Sequence, residues 1–553
     1  MNSKILPWLA LALGVFVYLY NIGSEHAATN PDEHLYLQIT RMTAEGGEWL
    51  PLKNRQVAER NTKPPALFWQ GVVATDWGSH WELWRVRLPV AVYTLATALL
   101  VLLLARKLSG STNTGILAAL AFLAFFSTYR YGRVALTSAP EAFWFFLPFC
   151  ILLWRGPGRM APGWPLALAF GLMVGVGLLY KSFALVIPFC AGLAWWTLHL
   201  RDYKIPAWLR GDAPKIALTG TLAVGIFALW FVFDPDPASI WRDFVVKENV
   251  GKFDPKGQSY IAKFFFGSHS VWRILFGYPF NAGLLALSSA VLFYLAFRAR
   301  KELPIAEKLL WIWIIVNVVV FAFPDARRDE RYLLPAMPAL AVLMALHWPS
   351  IPRWTFSIAL VAVAAVSLVL LAGCFALGHE LGSLAAYPWY SIPFLAGTAV
   401  FAIAALRPVW TRAAVCPAIL LLYLGYAVFS KPFDGPLGAF DQAAIDAVRG
   451  KTIVLASPYG AHDEIYRFLL PGAEVQQLKK NQPPVEELAA SGPLFIYSVP
   501  ARDAGKPLPE GFRVLGTRLS LNDRFNREET QDMLRGNVTA QLFRMDLLVE
   551  SNP

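Results

Sequence analysis

Long apolar runs, each bounded by charged or proline-containing stretches, recur from the start of the chain to about residue 430. Runs of roughly 17–25 residues are long enough to cross a bilayer as helices, with every backbone group satisfied inside the segment. Length and hydropathy predict about thirteen spans, over 5–22, 85–105, 113–127, 139–154, 164–180, 182–200, 214–233, 280–297, 307–323, 332–347, 354–377, 388–406 and 413–429. The first run lacks a convincing small-x-small cleavage site and reads as a signal-anchor helix. The stretch 164–200 is too long for one span and carries Lys181 in its middle, so it is split at Tyr180-Lys181-Ser182. Between the spans lie two long segments, 23–84 and 234–279, with amphipathic stretches at Leu35 to Ala44 and Trp241 to Val250. These are expected to lie along the membrane surface as interfacial helices.

After residue 430 the pattern changes. Residues 431–553 are polar and contain no span. The runs at 451–456, 493–498 and 512–515 read as strands, and Asp463 to Leu470 reads as a helix. Alternation of this kind predicts a small α/β domain. The chain therefore divides into a membrane part, 1–430, and a soluble part, 431–553. No GxGxxG or P-loop occurs in the second part, so nothing there points to nucleotide binding.

Composition strengthens the membrane reading. Of 553 residues 56% are hydrophobic and 16% charged, against about 25% charged in soluble domains. The net charge of +11 does not indicate nucleic acid, because the basic residues concentrate in short loops between apolar runs. Arg106 and Lys107, Arg155 and Arg159, Arg201 to Lys215, Arg298 to Lys308, Arg353, and Arg407 with Arg412 occupy every second loop. Those loops face the cytoplasm. The N-terminus is then cytoplasmic, and all the long polar loops and the C-terminal domain lie outside. The four cysteines sit within apolar runs and read as buried hydrophobes.

The outer loops carry the candidate chemistry. Asn30-Pro31-Asp32-Glu33-His34 has the composition of a helix start: an asparagine cap, a proline in the first turn, and acids near the positive end of the dipole. Two adjacent carboxylates at the membrane–water boundary also suit a general base. Lys63-Pro64-Pro65 offers either a snorkelling lysine or a fixed cation for an anionic headgroup. Arg133, Glu141 at the head of an apolar run, Lys181, Lys247, His269, Arg331 and Tyr332 complete the set. Boundary acids are costly and so are functional candidates, whereas a lone histidine is more often structural. No single residue is specific. Topology, however, places all of them on one face, where several cations and a few acids suit a lipid phosphate with a base beside it.

Taken together, these motifs resemble the GT-C glycosyltransferase superfamily, in particular the bacterial 4-amino-4-deoxy-L-arabinose lipid A transferase and protein O-mannosyltransferase branch. The resemblance rests on Asp32-Glu33, Lys63-Pro64-Pro65 with Phe68-Trp69, Arg87-Leu88-Pro89, Leu179-Tyr180-Lys181, Phe244 to Phe253 with Glu248-Asn249, and Arg331-Tyr332-Leu333-Leu334-Pro335. It implies an α-helical polytopic protein of GT-C type with a periplasmic C-terminal α/β domain, a monomer in the bacterial inner membrane. The implied reaction is inverting transfer from a polyprenyl-phosphate sugar to lipid A or another envelope acceptor. Asp32 is the implied catalytic carboxylate, with Glu33 and Glu141 as further acids. Lys63, Lys181 and Arg331 are the implied lipid-phosphate ligands, with Arg133, Lys247, His269 and Tyr332 on the donor side. No cofactor is required in principle, and a divalent cation near the acidic loop is left open. One departure stands out: the aspartate that many members carry in the third loop is missing after Arg133, and the nearest acid is Glu141. A transporter or flippase is the competing class, but no internal repeat of spans is evident and the acids are at span ends rather than mid-span. A scaffold would leave the Asp32 and Lys63 loops unexplained.

Overall fold

In hydrocarbon a chain must close its own hydrogen bonds, and each of the apolar runs forms helix in the computed structural model. The structure describes residues 5–26, 30–53, 63–156, 158–249, 260–323, 328–522 and 525–551. Asn61, Thr62, Lys252, Phe253 and Arg327, and the side chains of Glu248 and Asn249, fall outside the described part. The chain opens with α1 (Leu6–Leu19), α2 (Pro31–Glu45), α3 (Ala66–Ala74), α4 (Leu83–Ser109), α5 (Thr112–Ala124), α6 (Phe126–Tyr131), α7 (Ser138–Trp154) and α8 (Trp164–Leu178). Among the described residues, seven helices are long and apolar enough to cross a membrane, and five more apolar helices, α1, α5, α7, α8 and Ser391–Ala404, are shorter. The segment expected as a span at 332–347 instead starts as a 3-10 turn, Glu330–Ala336, and continues as a helix only over Met337–Leu346. Two prolines, Pro335 and Pro338, lie at that junction and remove amide donors.

Close helix packing is visible in the sequence only in retrospect. Gly171 and Gly175 of α8 form a G-x-x-x-G face, and an added Cβ would fall 2.9 Å from Leu222 and 2.7 Å from Ile226 of Ala213–Phe233. Small residues at this spacing let two helix backbones approach within the membrane. The break expected at Tyr180-Lys181-Ser182 is present. The helix α8 stops at Leu178, Ser182 caps the next turn, and helix resumes at Phe183.

The long first loop is more ordered than an interfacial strip. Asn30 Oδ1 accepts the Asp32 N–H at 2.9 Å and starts α2, and α2 packs on α3, where a Cβ on Gly71 would lie 2.7 Å from Thr40 Cγ2. The second amphipathic stretch, Ile240–Asn249, winds as a π-helix rather than an α-helix.

The C-terminal sheet has strands β1 (Thr452–Ala456), β2 (Glu474–Leu478), β3 (Leu494–Pro500), β4 (Phe512–Leu521) and β5 (Phe543–Ser551) in the order β2-β1-β3-β5-β4. Pairing is parallel around β1 and antiparallel around β5. The strands β2 and β5 carry no sequence expectation: Glu474-Val475-Gln476-Gln477-Leu478 is a polar edge, and Asp546 interrupts the apolar alternation of β5. This unit docks on the membrane part through α2. Arg41 Nε and Nη2 donate to Glu464 at 2.8 and 2.7 Å, the Glu464 side chain is fully buried, and Trp81 stacks on Phe468 at 5.3 Å. Glu25 also reaches Arg518 at 3.1 Å.

Candidate active site

The first turn of α2 carries two neighbouring acids with different surroundings. Asp32 is 45% exposed and its Oδ2 accepts Arg331 Nη1 at 2.6 Å. Glu33 is 2% exposed and takes a bidentate pair from Arg87, both bonds 2.7 Å, plus the Ala135 N–H at 2.8 Å. Arg87 in turn donates to the carbonyls of Ile22 and Ser24. Every partner of Glu33 is thus structural. Glu33, expected as a further acid, is placed as a buried tie between α2, α4 and the segments around residues 22–24 and 135. The reason is helical geometry, since adjacent residues point about 100° apart.

Asp32 begins a continuous chain of contacts. Arg331 also approaches Asp329 at 3.7 Å. Burial alone would lower the Arg331 pKa, but the hydrogen bond it donates to Asp32 and the charges of Asp32 and Asp329 outweigh it and hold the guanidinium firmly protonated. The next residue, Tyr332, stacks on Phe321 at 5.4 Å, and the Lys181 ammonium lies 5.4 Å over its ring. Lys181 Nζ donates to Glu141 Oε2 at 3.1 Å. Glu141 is 2% exposed and its Oε1 is unpaired. The Ala66 N–H, just after Lys63-Pro64-Pro65, donates to the Leu179 carbonyl at 3.1 Å. That bond holds the Lys63 turn against the Lys181 break. Asp32, Arg331, Tyr332, Lys181 and Glu141 therefore form one constellation, with the Lys63 turn beside it, although they come from five separate stretches of sequence.

Three expected members do not join it. Arg133 is buried, donating from Nη1 to the Tyr129 hydroxyl at 3.0 Å and from Nη2 to the Tyr20 carbonyl. Its guanidinium is engaged with Tyr129 and the Tyr20 carbonyl rather than with the Asp32 constellation. Lys247 is turned to its own helix, where Asp243 Oδ1 lies 2.9 Å away. His269 shares its Nδ1 with Arg273 at 3.3 Å, and Arg273 forms a two-nitrogen pair with Glu330 at 3.0 and 2.7 Å. It braces the residue before Arg331 rather than facing the constellation. Asp329, Arg273 and Glu330 carry no expectation from the sequence; the run of charges before Tyr332 signals Asp329 and Glu330, and nothing signals Arg273.

A wide groove runs along α3, about 1010 Å³, lined by Trp49, Leu50, Trp69, Val73, Pro89 and Phe233 with Gln70 at its edge. Gln70 Oε1 accepts the Tyr180 hydroxyl at 3.0 Å, which brings the groove to the residue next to Lys181. The lining is otherwise apolar apart from Glu48, and a largely apolar groove that passes close to the Lys181 break suits a lipid chain. Among the described residues, no three His, Cys, Asp or Glu side chains gather in a group able to hold a metal ion.

Comparison with known proteins bears on this arrangement. Residues 8–236 match the model of the dolichyl-phosphate-mannose-protein mannosyltransferase family. The undecaprenyl phosphate-alpha-4-amino-4-deoxy-L-arabinose arabinosyl transferase 2 of Pseudomonas fluorescens is 26% identical over 61% of this chain, which spans 58% of that relative's length. Arabinosyl transferase 1 of Sodalis glossinidius is also 26% identical, over 77% of each chain. Among solved structures, ArnT from Cupriavidus metallidurans superposes over 99% of this chain and 98% of its own, with a TM-score of 0.61 and 17% identity in the apo state. The TM-score is 0.60 with 16% identity for the same protein bound to undecaprenyl phosphate. At this identity the structural likeness speaks for the fold, and the motifs and relatives speak for the sequence. By fold the chain is a polytopic membrane protein like ArnT, and in sequence it is similar to the undecaprenyl phosphate–aminoarabinose transferases.

Proposed function

We propose that the protein is an inverting glycosyltransferase that moves a sugar from undecaprenyl phosphate to lipid A at the periplasmic face of the inner membrane, with 4-amino-4-deoxy-L-arabinose as the leading sugar. The observation that carries the proposal is the Asp32–Arg331–Tyr332–Lys181–Glu141 constellation beside the apolar groove. The relatives named for this transfer, and the ArnT structure that binds undecaprenyl phosphate, support the choice of donor. In this reading the polyprenyl chain lies in the groove and its phosphate meets Lys181, Lys63 and Arg331. An acceptor oxygen attacks C1 of the sugar from the face opposite the phosphate. The C1–O bond breaks, and the cations stabilise the departing lipid phosphate, so that no metal is needed. Asp32 takes the proton of a hydroxyl acceptor, or orients a phosphate acceptor that is already an anion. Arg331 holds Asp32 in place for either task. The reading also carries a cytoplasmic N-terminus and a periplasmic C-terminal unit, following the basic loops.

The match to a family described by protein mannosylation favours a second acceptor class, the hydroxyl of a secreted protein. Both are tested by incubating the purified protein with an undecaprenyl-phosphate sugar and either lipid A or a periplasmic protein extract, then weighing the products by mass spectrometry. The expected result is lipid A heavier by one sugar residue. Transfer to protein alone would replace the acceptor, and transfer to neither would overturn the proposal.

The same assay tests the phosphate site. Lys181→Met is expected to raise the donor KM by roughly 10–100-fold, the loss of one charged hydrogen bond. Lys181→Arg is expected to recover part of it. An unchanged donor KM in Lys181→Met would remove Lys181 from the phosphate site.

A further inference from the structure

A polar cavity of about 200 Å³ lies between the C-terminal sheet and the segment leading into α2. It is separate from the Asp32 constellation. His34 lines it, and residues two apart on a helix point about 200° from one another. Asp32 and His34 thus face opposite ways from the same turn, and nothing in the transfer reaction uses the second face.

One wall holds Arg518 of β4, which is 3% exposed. Its Nη2 donates to Glu25 at 3.1 Å and its Nε stands 3.4 Å from Asp546, yet Nη1 is unpaired. His26 Nε2, also buried and on the lining, is unpaired too. Buried donors are almost always satisfied, and an unpaired one on a cavity wall points to an acceptor supplied by a guest. The guest is not an anion: Glu25 and Asp546 already pair with Arg518, Glu529 is a third carboxylate on the lining, and Arg544 is committed to the Ser498 carbonyl at 2.8 Å. The rest of the lining mixes hydroxyls and amides, from Ser457, Tyr459, Asn481 and Ser520, which donate and accept alike. A third feature is aromatic. The His34 and His462 rings stack at 5.8 Å with 10° between planes, and Tyr466 meets His462 edge-on at 5.6 Å. An aromatic cluster and mixed donors and acceptors on one lining fit a sugar ring, which has an apolar face and a hydroxyl edge. The volume is below the roughly 300–1,000 Å³ of sites for drug-sized ligands, as a single ring requires.

We propose that this cavity is a saccharide subsite that binds one neutral sugar ring. The ring belongs either to the glycan of the acceptor or to a free saccharide. The acceptor version rests on the glycosyltransferase reading, and the binding itself does not.

The test uses the full chain in detergent micelles and saturation-transfer NMR with methyl α-D-glucopyranoside, with inorganic phosphate as the competing probe. Saturation is expected to reach the ring protons of the glycoside, to persist in phosphate, and to be lost in Ser520→Leu, which fills the cavity from a half-buried position. Asn481→Trp, plugging it from an exposed position, is the second variant should the first fail to fold. Absence of transfer, transfer unaffected by either plug, or displacement by phosphate would overturn the proposal. A transfer assay then separates the sources. A raised acceptor KM at unchanged kcat in Ser520→Leu assigns the ring to the acceptor, and an unchanged KM assigns it to a free saccharide. If the wild-type protein transfers no sugar while glycoside binding persists, the glycosyltransferase reading fails and the subsite stands.

Discussion

Asparagine in place of Asp32 is expected to lower kcat by about 10²–10⁴-fold with a hydroxyl acceptor, the range contributed by a positioned general base. The fold should tolerate the change. Asp32 is half exposed, Asn30 rather than Asp32 caps α2, and Arg331 retains Asp329 at 3.7 Å. An ion pair this exposed adds little stability, and losing one first-turn charge costs about 0.3–1 kcal/mol. The melting temperature is therefore expected to move slightly while turnover collapses, and both are measured on the same purified variant. With a phosphate acceptor there is no proton to remove, so a smaller loss is expected. The ratio of the two losses reports which role Asp32 plays. Near-normal turnover with a hydroxyl acceptor would take the catalytic assignment away from Asp32.

The second large effect is on stability. Arg87→Met leaves Glu33 charged, 2% exposed and without its guanidinium, a situation that typically costs about 3–5 kcal/mol. The carbonyls of Ile22 and Ser24 lose their donor at the same time. The expected result is a steep fall in the amount of folded protein and in its half-life on heating, which is the proper readout where unfolding is irreversible. Combining Arg87→Met with Glu33→Leu is expected to recover much of the loss, because an apolar pair of similar volume replaces two buried charges. Recovery will be partial, since the Ala135 N–H then has no acceptor. A single variant as stable as wild type would mean that Glu33 is not the structural tie described above.

Asp32 and Glu33 together illustrate the limits of sequence reasoning. Both are acids in the first turn of one helix, and the cap, the proline and the dipole account for both equally well. Their roles diverge because Glu33 turns toward Arg87, fifty-four positions away, and Asp32 toward Arg331, 299 positions away. Arg133 shows the same limit from the other side. A charge at the end of an apolar run marks it as a candidate, but the side chain is drawn inward to the Tyr20 carbonyl. The constellation itself was half legible. Asp32, Lys181, Glu141, Arg331 and Tyr332 were all singled out, because charges at the ends of apolar runs are conspicuous. Their order of contact was not.

Hydrophobic length and the placement of lysine and arginine determined the membrane class, the positions of the helices and the face on which the chemistry gathers. These properties depend on the solvent around each segment, and each segment carries that information locally. The shift to a polar, alternating pattern after residue 430 likewise announced the C-terminal α/β unit. Only the tertiary structure decided which charges are spent on holding helices together and which gather around Asp32. That decision rests on pairings between residues tens to hundreds of positions apart, and in a low-dielectric interior such pairings are set by geometry rather than by local composition.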